Sequence, residues 1–189
     1  ERAIAPSGPH ALSGATSPSR CLVVFFPGLG DDATSFEAHG FIDALRDAAI
    51  DADVHTVVAQ DYSHDDYSTR VHDELIARRS GPVWLVGVSM GNAPLLRYAS
   101  THPDAVAGLV MIAPVVGGPY LTKRVVSAGR PSQTTGDDRD SRAVRWLGDR
   151  RRQNGSVVDA YLAYGRGDSL APFAEAIEDE LESTGGTVL

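Results

Sequence analysis

Short apolar runs alternate with amphipathic stretches along most of this chain. The apolar runs are short enough for strands, and they lie at residues 22–26, 54–59, 83–86, 109–113, 157–164 and 187–189. Stretches with helical spacing of apolar residues lie between or after them, at 35–49, 69–79, 121–128, 141–147 and 171–182. A further such stretch follows Ser89 and should end at or before His102, because Pro103 comes next. This alternation predicts an α/β fold, with a mostly parallel sheet of at least six strands and helices on both faces.

The domain organisation follows from the same pattern. Residues 21–189 are expected to form one domain, and the Ala-, Pro-, Ser- and Gly-rich segment 1–20 contributes either an edge strand near Ala11 or nothing regular. Right-handed crossovers place the carboxyl ends of all parallel strands on one edge, where the loops carry the chemistry. The connection 114–156 is too short for a large lid, so we expect an open site.

Composition narrows the classes of partner. The net charge of −8 argues against nucleic acid or an anionic membrane surface as a partner. No apolar run approaches the roughly 20 residues of a membrane span. Cys21 is the only cysteine, which excludes an internal disulfide, and its apolar strand predicts a buried rather than a reactive thiol. The compartment and the oligomeric state stay open.

One motif carries a reaction class. Gly87-Val88-Ser89-Met90-Gly91 is a G-x-S-x-G pentapeptide between an apolar strand and a helical stretch. In a nucleophile elbow, such a strand-to-helix turn holds a serine hydroxyl above the end of the sheet. The backbone is so crowded there that a Cβ at position 87 or 91 would clash. The motif therefore predicts a serine nucleophile and acyl transfer.

Four features follow one another in an order that resembles the α/β-hydrolase superfamily. The resemblance extends over residues 21–189. The features are the first apolar strand, the Pro27-Gly28-Leu29-Gly30 loop, the elbow, and Tyr164-Gly165-Arg166-Gly167-Asp168 after a late strand. The chain is more similar to compact bacterial carboxylesterases and thioesterases than to branches with a cap domain.

The resemblance implies a role for each matching residue. Ser89 would be the nucleophile, the backbone N–H groups of Leu29 and Met90 would form the oxyanion hole, and Asp168 would be the triad acid. A turn or helix-cap role is the alternative for Asp168. The implied activity is cleavage of a small-molecule ester or thioester through an acyl-enzyme, with no cofactor and no metal.

The triad histidine is missing from its expected place. It should follow Asp168, but no histidine follows His102. Three explanations are open. The simplest is that the given chain stops short and the histidine lies past Leu189. The others are a non-catalytic binding protein that has lost its base, or a base from another place, with His64 as the best candidate.

Three further patterns give local predictions. Asp61, His64, Asp65 and Asp66 could bind a metal, but a solvated acidic loop is favoured because nothing completes a recognisable ligand set. Thr34-Ser35-Phe36-Glu37 predicts a capping box at the start of the helix 35–49, whose inward face is marked by Phe41, Leu45 and Ala49. Arg150-Arg151-Arg152 is interpreted as a solvated helix end rather than an anion-binding patch.

Overall fold

The computed structural model describes residues 20–58, 62, 70–77, 79 and 81–188. Its strands are β1 (Cys21–Phe26), β2 (Ala52–Thr56), β3 (Val83–Val88), β4 (Gly108–Ile112), β5 (Asp159–Ala163) and β6 (Thr187–Val188). Its longer helices are α1 (Ser35–Ala38), α2 (Phe41–Asp47), the π-helical α3 (His72–Ile76), α4 (Asn92–Thr101), α5 (Pro119–Ala128), α6 (Arg139–Trp146) and α7 (Ala171–Ser183). The edge strand predicted near Ala11 lies outside these residues.

The six strands of the described chain form one parallel sheet, as predicted, in the order β2-β1-β3-β4-β5-β6. The chain passes from β1 outward to β2 and then returns to β3 on the other side of β1. Ligands of such sheets bind outside the carboxyl ends of the strands at the point of reversal. Because Phe26 is paired with Gly87, the loop after β1 lies beside the turn after β3.

Helices cover both faces of the sheet, but unequally. The larger apolar core lies between the sheet and helices α4 to α7, and includes the fully buried Leu85 and Leu162. On the opposite face, α1 and α2 pack on β1 through Phe25 and Phe36, whose ring centroids are 4.3 Å apart. Beside α2 this face carries a cavity of about 340 Å³, lined by apolar side chains that include Trp84. Between β4 and β5, only α5, a short 3₁₀ turn and α6 intervene, and no large lid is present there.

The helix predicted over 35–49 is two helices instead. Gly40 adopts a φ of 78°, in the left-handed region that is easily accessible to glycine, and this ends α1 and reorients the chain before α2. Phe41 and Leu45 are partly buried, in line with the predicted inward face. Ala49 is exposed and lies beyond the end of α2, so its assignment to that face is wrong.

The predicted capping box is also absent from the start of α1. No side-chain hydrogen bond caps this helix. Instead, Asp32 Oδ1 accepts hydrogen bonds from Thr34 Oγ1 at 2.7 Å and from the Thr34 N–H at 2.8 Å. These bonds hold the pKa of the Asp32 carboxyl below its usual value. The segment is therefore an Asx turn that leads into a single helical turn.

The arginines at 150–152 do not form a solvated helix end. Arg150 has no exposed surface, and its guanidinium donates to the main-chain carbonyls of Leu147, Val158 and Thr184. Arg152 donates to three further carbonyls. Only Arg151 is exposed. The run is a structural anchor at the amino edge of the sheet, and both interpretations of it as a surface feature are wrong.

Two histidine rings, those of His72 and His102, stack at the carboxyl end of α4. The rings of His72 and His102 lie 4.4 Å apart between centroids, and both approach Tyr98. His72 Nδ1 is 3.0 Å from the Tyr98 hydroxyl. Burial, and then the neighbouring His72, lower the pKa of His102 below its ordinary value.

This cluster predicts a loss of stability in acid. Since the folded state binds the His102 proton less tightly than the unfolded chain, its contribution to stability is fully present above the unfolded pKa of about 6.5. That contribution is lost as the pH falls through this value toward the folded pKa. Urea unfolding at pH 8 and pH 5 should show a smaller acid-induced drop for His102→Gln than for the wild type. His39→Gln is the control, and an unchanged drop in His102→Gln would contradict the prediction.

The burial of Cys21 and the length of the helices can be compared with what the composition predicted. Cys21 lies in β1 and is partly rather than fully buried; burial raises the pKa of its thiol, which disfavours the reactive thiolate. Within the described residues, no helix has both the length and the apolar character needed to cross a bilayer.

Candidate active site

Ser89 lies at a sharp bend between β3 and α4. Its φ is 50°, in the left-handed region that a residue with a Cβ enters at a cost of about 1–2 kcal/mol. A 3₁₀ turn over Ser89–Gly91 joins the strand directly to the helix, and Ser89 is partly exposed. The strained strand-turn-helix geometry that the motif predicts is thus present, whereas the catalytic role of Ser89 is still a prediction.

The glycines of the motif are required for space. A Cβ on Gly91 would lie 2.0 Å from the Phe26 carbonyl oxygen, and one on Gly87 would lie 2.7 Å from Asn92 Oδ1. Contacts this short do not occur between real atoms, so a side chain at position 91 would push the turn away from β1, and one at position 87 would collide with the first residue of α4. Gly28, across the turn, would place a Cβ 3.4 Å from that of Ser89. The loop after β1 therefore touches the elbow itself.

The predicted oxyanion-hole residues lie on either side of this contact. Leu29 follows Gly28 and Met90 follows Ser89, and their side chains are 81% and 40% exposed. Neither N–H takes part in a turn, loop or side-chain hydrogen bond with the rest of the described chain. Both residues lie beside Ser89, and the oxyanion-hole role of their N–H groups stays a prediction.

Tyr62 binds the loop after β1 through a hydrogen bond to its backbone. Its hydroxyl donates to the Pro27 carbonyl at 3.0 Å. Burial, and then the nearby Asp31 carboxylate, raise the pKa of this phenol, so it stays protonated and able to donate. Arg97 of α4 donates to the Tyr62 carbonyl at 3.2 Å and forms a two-pronged ion pair with Asp140 of α6. Side chains from α4 and α6 thus support the loop.

Asn92, the first residue of α4, was not among the predicted site residues. Its Nδ2 donates to the carbonyls of Ser89 and Ile112, at 2.9 and 3.2 Å. The Ser89 carbonyl also accepts from the Val115 N–H at 3.1 Å. The available signal was a polar residue directly after the motif, where the apolar helix begins.

Asp168 lies in the loop between β5 and α7, at the same edge of the sheet as Ser89. It is exposed, and its Oδ1 accepts a hydrogen bond from the Leu170 N–H at 2.9 Å. The turn role considered for this residue is therefore visible. The triad role is compatible with the position and stays a prediction.

The described histidines form no hydrogen bond with either Ser89 or Asp168. No hydrogen bond joins His39, His55, His72 or His102 to Ser89 or Asp168 among the described residues. His64 and its acidic neighbours lie outside those residues. The same part of the chain contains no group of three or more His, Cys, Asp or Glu side chains placed to hold a metal ion.

Known proteins are similar to this chain in sequence and in fold. A profile described as the alpha/beta hydrolase family matches residues 23–184. The pyrethroid hydrolase of Sphingobium wenxiniae is 35% identical over 71 residues, which are 37% of this chain and 25% of that enzyme. The match thus spans only about a quarter of this relative's length.

Two Staphylococcus aureus enzymes share the fold. FphF, a fluorophosphonate-binding serine hydrolase, aligns with a TM-score of 0.62 and 15% identity, over 95% of this chain and 78% of its own. The S-formylglutathione hydrolase FrmB aligns with a TM-score of 0.61 and 17% identity, over 93% and 74%. At these identities the likeness is one of fold. Since the family profile extends over most of the sequence and the sheet carries the expected elbow, the chain belongs to the alpha/beta hydrolase family.

Proposed function

We propose that this protein is a serine hydrolase that cleaves a small ester or thioester through an acyl-enzyme. The observation that carries the proposal is the strained φ of 50° at Ser89, in a turn that the loop after β1 approaches closely. Strain of this kind persists only where the surroundings enforce it, and it clusters at active sites. Family membership and the hydrolase names of the relatives support it.

In this mechanism the Ser89 oxygen attacks the carbonyl carbon while a base takes the hydroxyl proton. The carbonyl electron pair moves onto oxygen, and the N–H groups of Leu29 and Met90 stabilise the resulting oxyanion. Each such donor is worth about 2.7–4 kcal/mol in the transition state. Collapse expels the alcohol or thiol, which takes the proton from the base. Water then hydrolyses the acyl-enzyme by the same steps.

Asp168 would orient the base, which we take to be a histidine outside the described residues. A free serine hydroxyl is a poor nucleophile at neutral pH, so the proposal requires this base. Residues 21–189 would act as one hydrolase domain. The exposed side chains of Leu29 and Met90 border the site without a large lid, which favours short acyl groups reached from solvent.

A fluorophosphonate probe tests the proposal on the intact protein. Ser89 should displace fluoride from phosphorus, and mass spectrometry should find the phosphonyl group on the peptide that contains Ser89. Ser89→Ala should take no label, because the attacking oxygen is gone. Ser127→Ala, at an exposed position on α5, is the control and should label like the wild type.

The rival function is a non-catalytic binding protein on the same scaffold. It is favoured by the lack of any described histidine bonded to Ser89. A wild-type protein that unfolds cooperatively and yet takes no label, or takes it on another residue, would support the rival and refute serine hydrolysis.

A further inference from the structure

Asn92 makes an unusual set of contacts under the elbow. Its side chain is fully buried, yet Oδ1 has no hydrogen-bond partner among the described residues. Nδ2 donates to two main-chain carbonyls, those of Ser89 at 2.9 Å and Ile112 at 3.2 Å. Burying an amide with one end unpaired is unfavourable. The two bonds at its other end therefore need an explanation.

Ordinary helix capping does not explain Asn92. A capping asparagine accepts, through Oδ1, a hydrogen bond from an N–H in the first turn of the helix. In α4 no side-chain cap bond exists. Asn92 instead donates backward, to a carbonyl that precedes the helix, and sideways to the last residue of β4.

The geometry of one peptide unit links these bonds to the oxyanion hole. The Ser89 carbonyl and the Met90 N–H belong to the same planar, trans peptide, so they point in opposite directions. The carbonyl is held by two donors, Asn92 Nδ2 and the Val115 N–H. Because Asn92 is buried, a carbonyl that points toward it leaves the Met90 N–H pointing away from the core.

We propose that Asn92 is a positioning residue that aims the Met90 N–H into the oxyanion hole, by anchoring the Ser89 carbonyl to the end of β4. This inference rests on the proposed function, since it concerns the transition state of that reaction. Hydrogen bonds to the carbonyl also polarise the peptide and strengthen its N–H as a donor. Asn92 itself touches neither the substrate nor the reacting atoms.

Two substitutions separate the donor from the shape of the side chain. Asn92→Asp keeps the shape but replaces the donor by an acceptor against two carbonyls. Asn92→Ser keeps a hydroxyl, which can donate to the carbonyl three residues earlier. Turnover of p-nitrophenyl acetate by the intact protein gives kcat and KM separately for each variant.

We expect Asn92→Asp to lower kcat about 10- to 100-fold, less than the roughly 10²–10³-fold loss that follows deletion of an oxyanion donor. KM should stay within about twofold, because the ground state does not use this donor. Asn92→Ser should recover most of kcat. Val125→Ala, a fully buried site in α5, should lower the urea midpoint and leave kcat unchanged.

The outcomes distinguish the two proposals. A wild type with neither turnover nor labelling of Ser89 refutes both. If the wild type is active and Asn92→Asp keeps the wild-type kcat while losing stability, the role is structural and this inference alone is refuted. A lower kcat in Asn92→Asp that Asn92→Ser restores supports it.

Discussion

Gly91→Ala is expected to displace the turn after β3 and to abolish labelling of Ser89. The added Cβ would lie 2.0 Å from the Phe26 carbonyl oxygen and 2.7 Å from that of Pro27. Both are backbone atoms at the end of β1, where the sheet prevents them from moving independently. Gly91 itself has a φ of −61°, which alanine adopts readily. The penalty therefore comes only from lack of space.

The size of this effect follows from the rigidity of the contact. Overpacking of a core costs about 1–3 kcal/mol where side chains can yield. Because the Gly91 contact is with backbone, its cost should be about 3 kcal/mol or more. A loss of this size lowers the melting temperature by roughly 6–12 °C in a chain of this length. Gly118→Ala is the matched control, since its Cβ would meet nothing within 4 Å. Equal melting temperatures for the two variants would show that the close approach is not real.

Arg150→Met should destabilise the fold more than any exposed arginine substitution. The guanidinium is fully buried, and it donates at 2.8 to 3.1 Å to carbonyls that follow α6, precede β5 and follow α7. Methionine fills much of the volume but leaves these carbonyls without donors. Bonds to a charged group contribute about 1.5–3 kcal/mol each and are not additive. A total loss of about 3–5 kcal/mol is expected.

Arg151→Met provides the comparison within the same run of arginines. Arg151 is exposed and pairs with Asp149 at 3.0 Å. A surface pair of this kind contributes about 1 kcal/mol or less. Urea unfolding should therefore separate the two variants clearly. Similar midpoints would mean that Arg150 is solvated in the folded protein, as the sequence pattern had indicated.

The elbow was predictable because its determinants are local. A strained turn needs glycine within two residues of the serine. The spacing of apolar residues indicates the buried strand before the turn and the amphipathic helix after it. Gly87 and Gly91 meet these conditions within one pentapeptide. The parallel sheet follows by the same reasoning, since strand–helix alternation permits few other arrangements.

Other features depend on residues that are distant in the sequence. Arg150 resembles its neighbours in a basic run, and only the carbonyls of Val158 and Thr184, brought to it by the fold, make it an anchor. Asn92 resembles a helix cap until Ile112, 20 residues later, supplies its second acceptor. The break at Gly40 was visible as a residue but not as a conformation, because glycine is also tolerated inside helices.

The amino-acid sequence alone determined the alternation of strands and helices, the parallel sheet and the bend at Ser89. These properties come from steric rules and periodicities that act over a few residues. The tertiary structure alone decided which polar side chains are buried and what they bind, at Arg150, Asn92 and Tyr62. Burial and hydrogen bonding are properties of the space around a group, and that space is filled mainly by residues from elsewhere in the chain.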